Sequence, residues 1–233
     1  MKKFIIDNEI FNNYNDLNIG VIVCKNIDNT KANSEIRELY NNISETIKTK
    51  FADVELSEYP IVRTWRDVYK SFGEKKARSS VEALIRRVNN GNEIREINPL
   101  VDIYNYISLK YELPCGGENI DKIDGNLELT FATGNEEFLP LGEPEKENPN
   151  PNEIIYKFGD TVVCRNFNYR ESDITKLTED TTNAFLCIED IMSNPDNLQS
   201  ALKELEELVL KYLGGIAVVY ILNKYNQEIT IED

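Results

Sequence analysis

The sequence predicts a mixed α/β (α+β) fold, arranged as a single compact domain over 1–233. Three observations carry this. β-rich apolar runs are interspersed with segments whose apolar residues recur at helical spacing. Several strand-like runs follow one another with hairpin-like steps between them. No internal repeat and no clear linker divides the chain, and 233 residues with 41% hydrophobic content can bury a sizeable core.

The elements follow in order. Residues 3–6 and 17–24 (LNIGVIVC) are apolar and β-rich, and predict strands. From about 33 to 51, Ile36, Leu39, Tyr40, Ile43, Ile47 and Phe51 repeat at helical spacing. A second helix, 60–72, opens at Pro60, carries Trp65, Val68 and Tyr69, and stops at Gly73. A third, about 80–90, has Ser79 as its cap, with Glu82 completing a capping box. A fourth, 99–111, has Asn98 as its cap and Pro99 in its first turn.

Beyond Leu113 the pattern changes. PCGGEN (114–119) predicts a turn-rich loop, LELTFA (127–132) a half-buried strand, and the proline-rich 140–153 an exposed loop. EIIYKF (153–158) and TVVCRNF (161–167) predict a hairpin around Gly159-Asp160, and NAFLCIEDI (183–191) another strand. Pro195 opens an amphipathic helix that ends at Gly214. GIAVVYILN (215–223) is continuously apolar, which predicts a central strand covered on both faces.

Histidine is absent. That excludes Ser-His-Asp triads, Cys-His dyads, HExxH zinc sites and two-His-one-carboxylate iron sites. Proton transfer must run through carboxylates, Lys, Tyr, Cys, water or substrate. No apolar run reaches the roughly 18 residues of a membrane span, and MKKFIIDNEI is too soon interrupted by acid to be a signal peptide. A cytoplasmic protein with no membrane partner is expected. The four cysteines are widely spaced without CxxC, so free thiols are expected and no metal site is implied.

The net charge of −15 argues against non-specific nucleic-acid binding, and no DNA partner is expected. The charge is uneven, however. Residues 63–87 carry Arg63, Arg66, Lys70, Lys75, Lys76, Arg78, Arg86 and Arg87, and the window sums to +5. It serves either as a solvated rim paired with carboxylates or as one defined contact with an anionic partner such as RNA.

No phosphate loop, GxGxxG or GxSxG motif is present. LPCGGEN brings Gly116 and Gly117, where a ligand can approach the backbone, next to Glu118. CRNFNYRES (164–172) packs Arg165, Asn166, Asn168, Tyr169, Arg170 and Glu171 at a strand end. Alternation places Arg165, Phe167 and Tyr169 on one face and Cys164, Asn166, Asn168 and Arg170 on the other. Each segment is equally readable as scaffolding: a glycine turn and a polar edge strand. Cys115 lacks a histidine base, so it is a bystander rather than a nucleophile. Glu118 and Glu171 are the acid–base candidates.

Residues 95–125 (REINPLVDIYNYISLKYELPCGGENIDKIDG), preceded by VEALIRRV (81–88) and followed by IIYKFGDTVVCRNFNYRES (154–172), carry a family resemblance. In this order they resemble the editing (B3/B4) domain of the bacterial phenylalanyl-tRNA synthetase beta subunit, over roughly 79–190. The chain is similar to stand-alone bacterial proteins built around that domain. The resemblance implies hydrolysis of a mischarged aminoacyl-tRNA. It places the family's histidine position on Gly116, its Phe-Asp on Glu118-Asn119, and its final Glu on Glu171. The glycines before that Glu fall on Tyr169-Arg170. Under this reading Glu171, Glu118 and Gly116 form the catalytic set. Cys115, Gly117, Arg165, Asn166, Asn168 and Arg170 bind substrate. Arg66, Lys70, Lys75, Lys76, Arg78, Arg86 and Arg87 contact the tRNA acceptor end. No cofactor is implied, and without an ATP-binding signature no aminoacylation is expected. The alternative is a non-catalytic module that binds RNA or a small amino-acid-like ligand.

Overall fold

Two β-sheets face each other in the computed structural model, which describes residues 1–30 and 34–232. In chain order the elements are β1 (Lys2–Ile6), α1 (Asn8–Asn13), β2 (Asn18–Lys25), α2 (Ser34–Phe51), α3 (Pro60–Ser71), α4 (Ser80–Asn89) and α5 (Pro99–Tyr111). Then come β3 (Cys115–Asn119), β4 (Leu127–Phe131), β5 (Glu137–Phe138), β6 (Ile154–Phe158), β7 (Thr161–Arg165), β8 (Arg170–Glu171) and β9 (Ala184–Asp190). The chain closes with α6 (Pro195–Leu213), β10 (Ile216–Leu222) and β11 (Glu228–Glu232).

The larger sheet is mixed, in the order β11-β1-β4-β6-β7-β5 with β8 on β7, and its parallel pairs are β1–β4 and β5–β7. The smaller sheet, β10-β2-β9-β3, is antiparallel throughout. Phe4 of β1 joins the two, stacked on Tyr156 of β6 and edge-on to Phe185 of β9. On its other side the smaller sheet is covered by α5 and α6, so β2 and β9 are nearly continuously buried. The mixed α/β class predicted from the sequence holds.

Local chemistry sets the helix starts. Asn98 accepts from the Val101 N–H at 3.1 Å, and Ser79 from the Glu82 N–H at 3.3 Å. The predicted capping box at Ser79 is only half formed, because the Glu82 carboxyl turns to Arg66 and Arg86 instead. Helix α2 begins at Ser34; residue 33, its expected start, lies outside the described residues.

Three expectations are corrected. GIAVVYILN is an edge strand rather than a central one, with Ile216 56% and Val218 43% exposed. One face of β10 rests on α6; on the other, Ile216 and Val218 are exposed, and only toward Tyr220 and Leu222 does the strand reach the core. Residues 115–119 of PCGGEN form β3 rather than a loop; Gly117, without a side chain, lets the backbone lie close against Leu186 and Leu177. The strand predicted over 161–167 stops at Arg165, because Asn166 and Phe167 adopt φ of +52° and +59°. The sequence pattern missed α1, β5, β8 and β11, which are short or lie near a chain end.

Candidate functional site

The two sheets enclose a cavity of about 20 Å³, enough for roughly one water molecule. Cys115–Glu118 of β3 form one wall. Cys164 of β7 and Glu171 of β8 stand opposite, with Glu189 of β9 and Asn168 completing the lining. The register β3–β9 puts Gly116 and Glu118 on the same face, toward Glu171. A Cβ on Gly116 would stand 3.2 Å from Glu171 Oε1 and 3.9 Å from Cys187 Sγ. Gly117 faces the other way, and a Cβ there would meet Leu186 Cδ2 at 2.6 Å.

Three carboxyl groups line this cavity, with no cation among its lining residues. Burial pushes Glu118 well above the usual carboxylate range, and the neighbouring Glu171 pushes it further. Burial raises Glu171 as well, while its hydrogen bond with Glu118 holds it back. Both carboxyls thus hold protons more tightly than an exposed glutamate does, because burial, and at Glu118 also the neighbouring carboxyl, disfavours the charged form. Glu189 is pushed up to about 7 by burial, against the opposing hydrogen bonds from Tyr156 and Asn168. The Tyr156 hydroxyl donates to Glu189 Oε1 at 2.6 Å, and Asn168 Nδ2 donates to Oε2.

Asn168 joins this cavity to the basic helices. Its Oδ1 accepts from the Tyr69 hydroxyl at 2.9 Å and from the Ser80 N–H at 3.1 Å. Tyr69 lies on α3 and Ser80 opens α4. Beside α3, an open groove of about 650 Å³ runs against the 75–78 loop; Arg63, Arg66, Lys70, Lys75, Lys76 and Arg78 line it together with Glu58 and Asp67.

The structure thus brings together Cys115, Gly116, Gly117, Glu118, Asn168 and Glu171. It separates Arg165, Asn166 and Arg170 from them. Arg165 donates from Nε to Glu153 at 2.7 Å, pairs with Glu147, and lies over the Phe138 ring. Arg170 shares Glu147 and the same ring. These two arginines pin the 140–153 loop to β7 and β8; they do not face the cavity. Asn166 is buried in the tight turn, with its Oδ1 unpartnered. Strict alternation fails here because the turn at 166–167 interrupts the strand.

The basic residues also divide. Arg66, Arg78 and Arg86 converge on Glu82, whose side chain is fully buried. Lys70 pairs with Asp67, and Arg87 donates to the Glu93 carbonyl at 2.7 Å. Among the described residues, Arg63, Lys75 and Lys76 are exposed and have no ion-pair partner. Arg86 and Arg87 do not line the groove.

Sequence reasoning missed Glu189 and Tyr156. Glu189 sits near the end of an apolar strand, where an acidic residue reads as solvent-facing; only the facing sheet buries it. The presence of Glu–Asp inside NAFLCIEDI was the available signal.

The B3/4 domain family model matches residues 64–214, more than half of the chain. The chain belongs to the B3/4 domain family. It is 23% identical over 171 residues to the phenylalanine–tRNA ligase beta subunit of Fusobacterium nucleatum subsp. nucleatum. That match covers 73% of this chain but 20% of the ligase subunit, so the chain spans about a fifth of that relative's length. Among solved structures, it is similar to an N-terminal fragment of the phenylalanyl-tRNA synthetase beta subunit from Pyrococcus horikoshii. The TM-score is 0.46 at 14% identity, covering 92% of this chain and 49% of that one. The family match takes in the cavity-lining residues, the groove along α3 and the 75–78 loop from Arg66 onward, and α6. It leaves out β1, β2 and α2.

Proposed function

We propose that this B3/4 domain is a trans-acting deacylase that hydrolyses the ester of a mischarged aminoacyl-tRNA at the cavity between β3 and β8. The observation that carries the reading is the pair of buried carboxyls, Glu118 and Glu171, which line one cavity beside space for one water. Two adjacent buried carboxyls with raised proton affinity are suited to general acid–base work. Glu171 takes a proton from the water as the water oxygen attacks the ester carbonyl. Glu118 gives its proton to the departing ribose oxygen, and the released amino acid takes the new C–O bond. The family relation to a synthetase subunit supports an RNA substrate.

Backbone geometry supplies an oxyanion donor. Among the described residues β3 pairs with β9 alone, so its N–H groups alternate between β9 and the open edge. On the open edge the Asn119 N–H donates to the Thr175 carbonyl at 2.8 Å. The Gly117 N–H shares that edge and is placed to polarise an ester carbonyl. Arg63, Lys75 and Lys76 hold acceptor-stem phosphates in the groove, and Asn168 ties that groove to the cavity.

One observation favours a second reading. A cavity of about 20 Å³ admits no amino-acid side chain of tyrosine's size, which suits a non-catalytic module that binds RNA through the basic groove. The deciding experiment is a deacylation screen with tRNAs carrying different amino acids. Hydrolysis of at least one of them above its spontaneous rate, lost in Glu171→Gln, supports the deacylase. No hydrolysis of any charged tRNA overturns it.

A further inference from the structure

What the carboxyl cavity can admit is set by how its floor is held. Tyr156, Phe167, Phe185 and Asn168 form the floor and are buried. Gly116, Gly117, Glu171 and Cys187 stand at the mouth, where each is partly exposed. Each floor side chain is fixed by a neighbour outside the cavity. Phe185 meets Phe4 edge-on at 4.9 Å, and Tyr156 stacks on the same ring at 5.9 Å. Phe167 meets Trp65 edge-on at 5.4 Å and Tyr14 at 5.8 Å. Asn168 is tied by its hydrogen bonds with Tyr69 and Ser80 on one side and Glu189 on the other.

Such a floor does not retreat to make room. Rings packed against other rings yield only through off-rotamer side chains or backbone shifts. The space above them is about 20 Å³, and one water needs about 10–15 Å³. The attacking water therefore uses that space up, and nothing the size of a methyl group fits beside it. The mouth is narrow as well. A Cβ on Gly116 would already stand 3.2 Å from Glu171 Oε1 and 3.9 Å from Cys187 Sγ.

We propose, resting on the deacylase reading above, that the substrate is a tRNA carrying glycine, and that Tyr156, Phe167 and Phe185 set this choice by excluding any side chain. A glycyl group brings its ester carbonyl to the edge of β3 with the water still in place. An alanyl group puts a methyl where the water stands, and a tyrosyl group collides with the floor. One extra carbon in a fitted pocket changes kcat/KM by about 10–200-fold.

The test compares hydrolysis of glycyl-, alanyl- and tyrosyl-tRNA by the full chain, each against its own spontaneous rate. Glycyl-tRNA is expected to be cleaved fastest, alanyl-tRNA about tenfold or more slowly, and tyrosyl-tRNA at the spontaneous rate. Cys187→Ala, which removes a sulfur at the mouth and leaves the floor in place, should raise the alanyl-to-glycyl ratio severalfold. Gly116→Ala, whose added Cβ enters the mouth, should slow glycyl hydrolysis about tenfold or more while circular dichroism shows the protein folded. Any larger aminoacyl-tRNA cleaved as fast as glycyl-tRNA overturns the size rule and leaves the deacylase reading standing. An alanyl-to-glycyl ratio unmoved by Cys187→Ala does the same. Hydrolysis of no charged tRNA at all overturns both.

Discussion

Gly116 and Glu171 face each other across the cavity with no room between them: a Cβ on Gly116 would stand 3.2 Å from the Glu171 carboxylate oxygen. The histidine that the family resemblance places at this position cannot be added here without moving Glu171. The absence of histidine from the whole chain thus becomes a local fact. If hydrolysis occurs, it rests on carboxyls and backbone N–H groups.

The two glycines of β3 differ in what surrounds them, and substitution separates them. Gly116→Ala meets the end of a flexible side chain, so it should cost about 1 kcal/mol or less. Gly117→Ala meets Leu186 Cδ2 at 2.6 Å and the Phe185 carbonyl oxygen at 3.1 Å, and should cost more, about 1–3 kcal/mol. Denaturant melts of the two variants check the order; equal stabilities would show that the β3–β9 packing is not as described.

Buried carboxyls set a pH dependence with a definite sign. Glu118, Glu171 and Glu189 all have folded-state values above the ordinary one, so the folded protein binds more protons than the unfolded chain. The contribution of Glu189 is fully present below about 4.5 and is lost as pH rises through about 7; those of Glu118 and Glu171 have the same sign. The shift at Glu189 alone corresponds to about 3 kcal/mol. Glu189→Gln should therefore flatten the fall in melting temperature between pH 5 and pH 8. A parent protein whose stability rises steadily over that range contradicts the account.

Glu82 is a hub. Its fully buried side chain holds Arg66 and Arg86, at 2.6 and 2.7 Å, and these pull its carboxyl below the usual range against the opposing effect of burial. Glu82→Ala strands those guanidiniums and should destabilise the protein by about 3 kcal/mol. A chemical-denaturation midpoint within error of the parent would show that the three arginines find water instead.

How much of this was legible follows from what each residue reports. The helices were readable because Asn98, Ser79, Pro60 and Pro99 act locally, and local chemistry is written in sequence. Glu118 and Glu171 were found, but only through the family resemblance and the unusual CGGEN and NYRES segments. β10 misled because an apolar run records hydrophobicity and not how many neighbours a strand has. Arg165 and Arg170 misled because their partners, Glu147 and Glu153, come from a loop whose path only tertiary structure fixes. Glu189 was invisible because its burial is created by the opposite sheet.

The basic groove predicts a graded response to charge reversal. Lys75→Glu with Lys76→Glu removes cations that have no ion-pair partner among the described residues, and should weaken RNA binding and lower its salt dependence. Arg86→Glu, outside the groove and already paired with Glu82, should act mainly on stability. Salt titrations of tRNA affinity check this; an affinity indifferent to Lys75 and Lys76 would remove the groove from the account.

The most direct test is the rate of ester hydrolysis on a panel of charged tRNAs, measured for the parent protein and for Glu171→Gln. The account predicts accelerated release of at least one amino acid, reduced a hundredfold or more in the variant, in line with the roughly 10²–10⁴ typical of general acid–base groups. Release at the spontaneous rate for every charged tRNA, or equal rates for parent and variant, would contradict it.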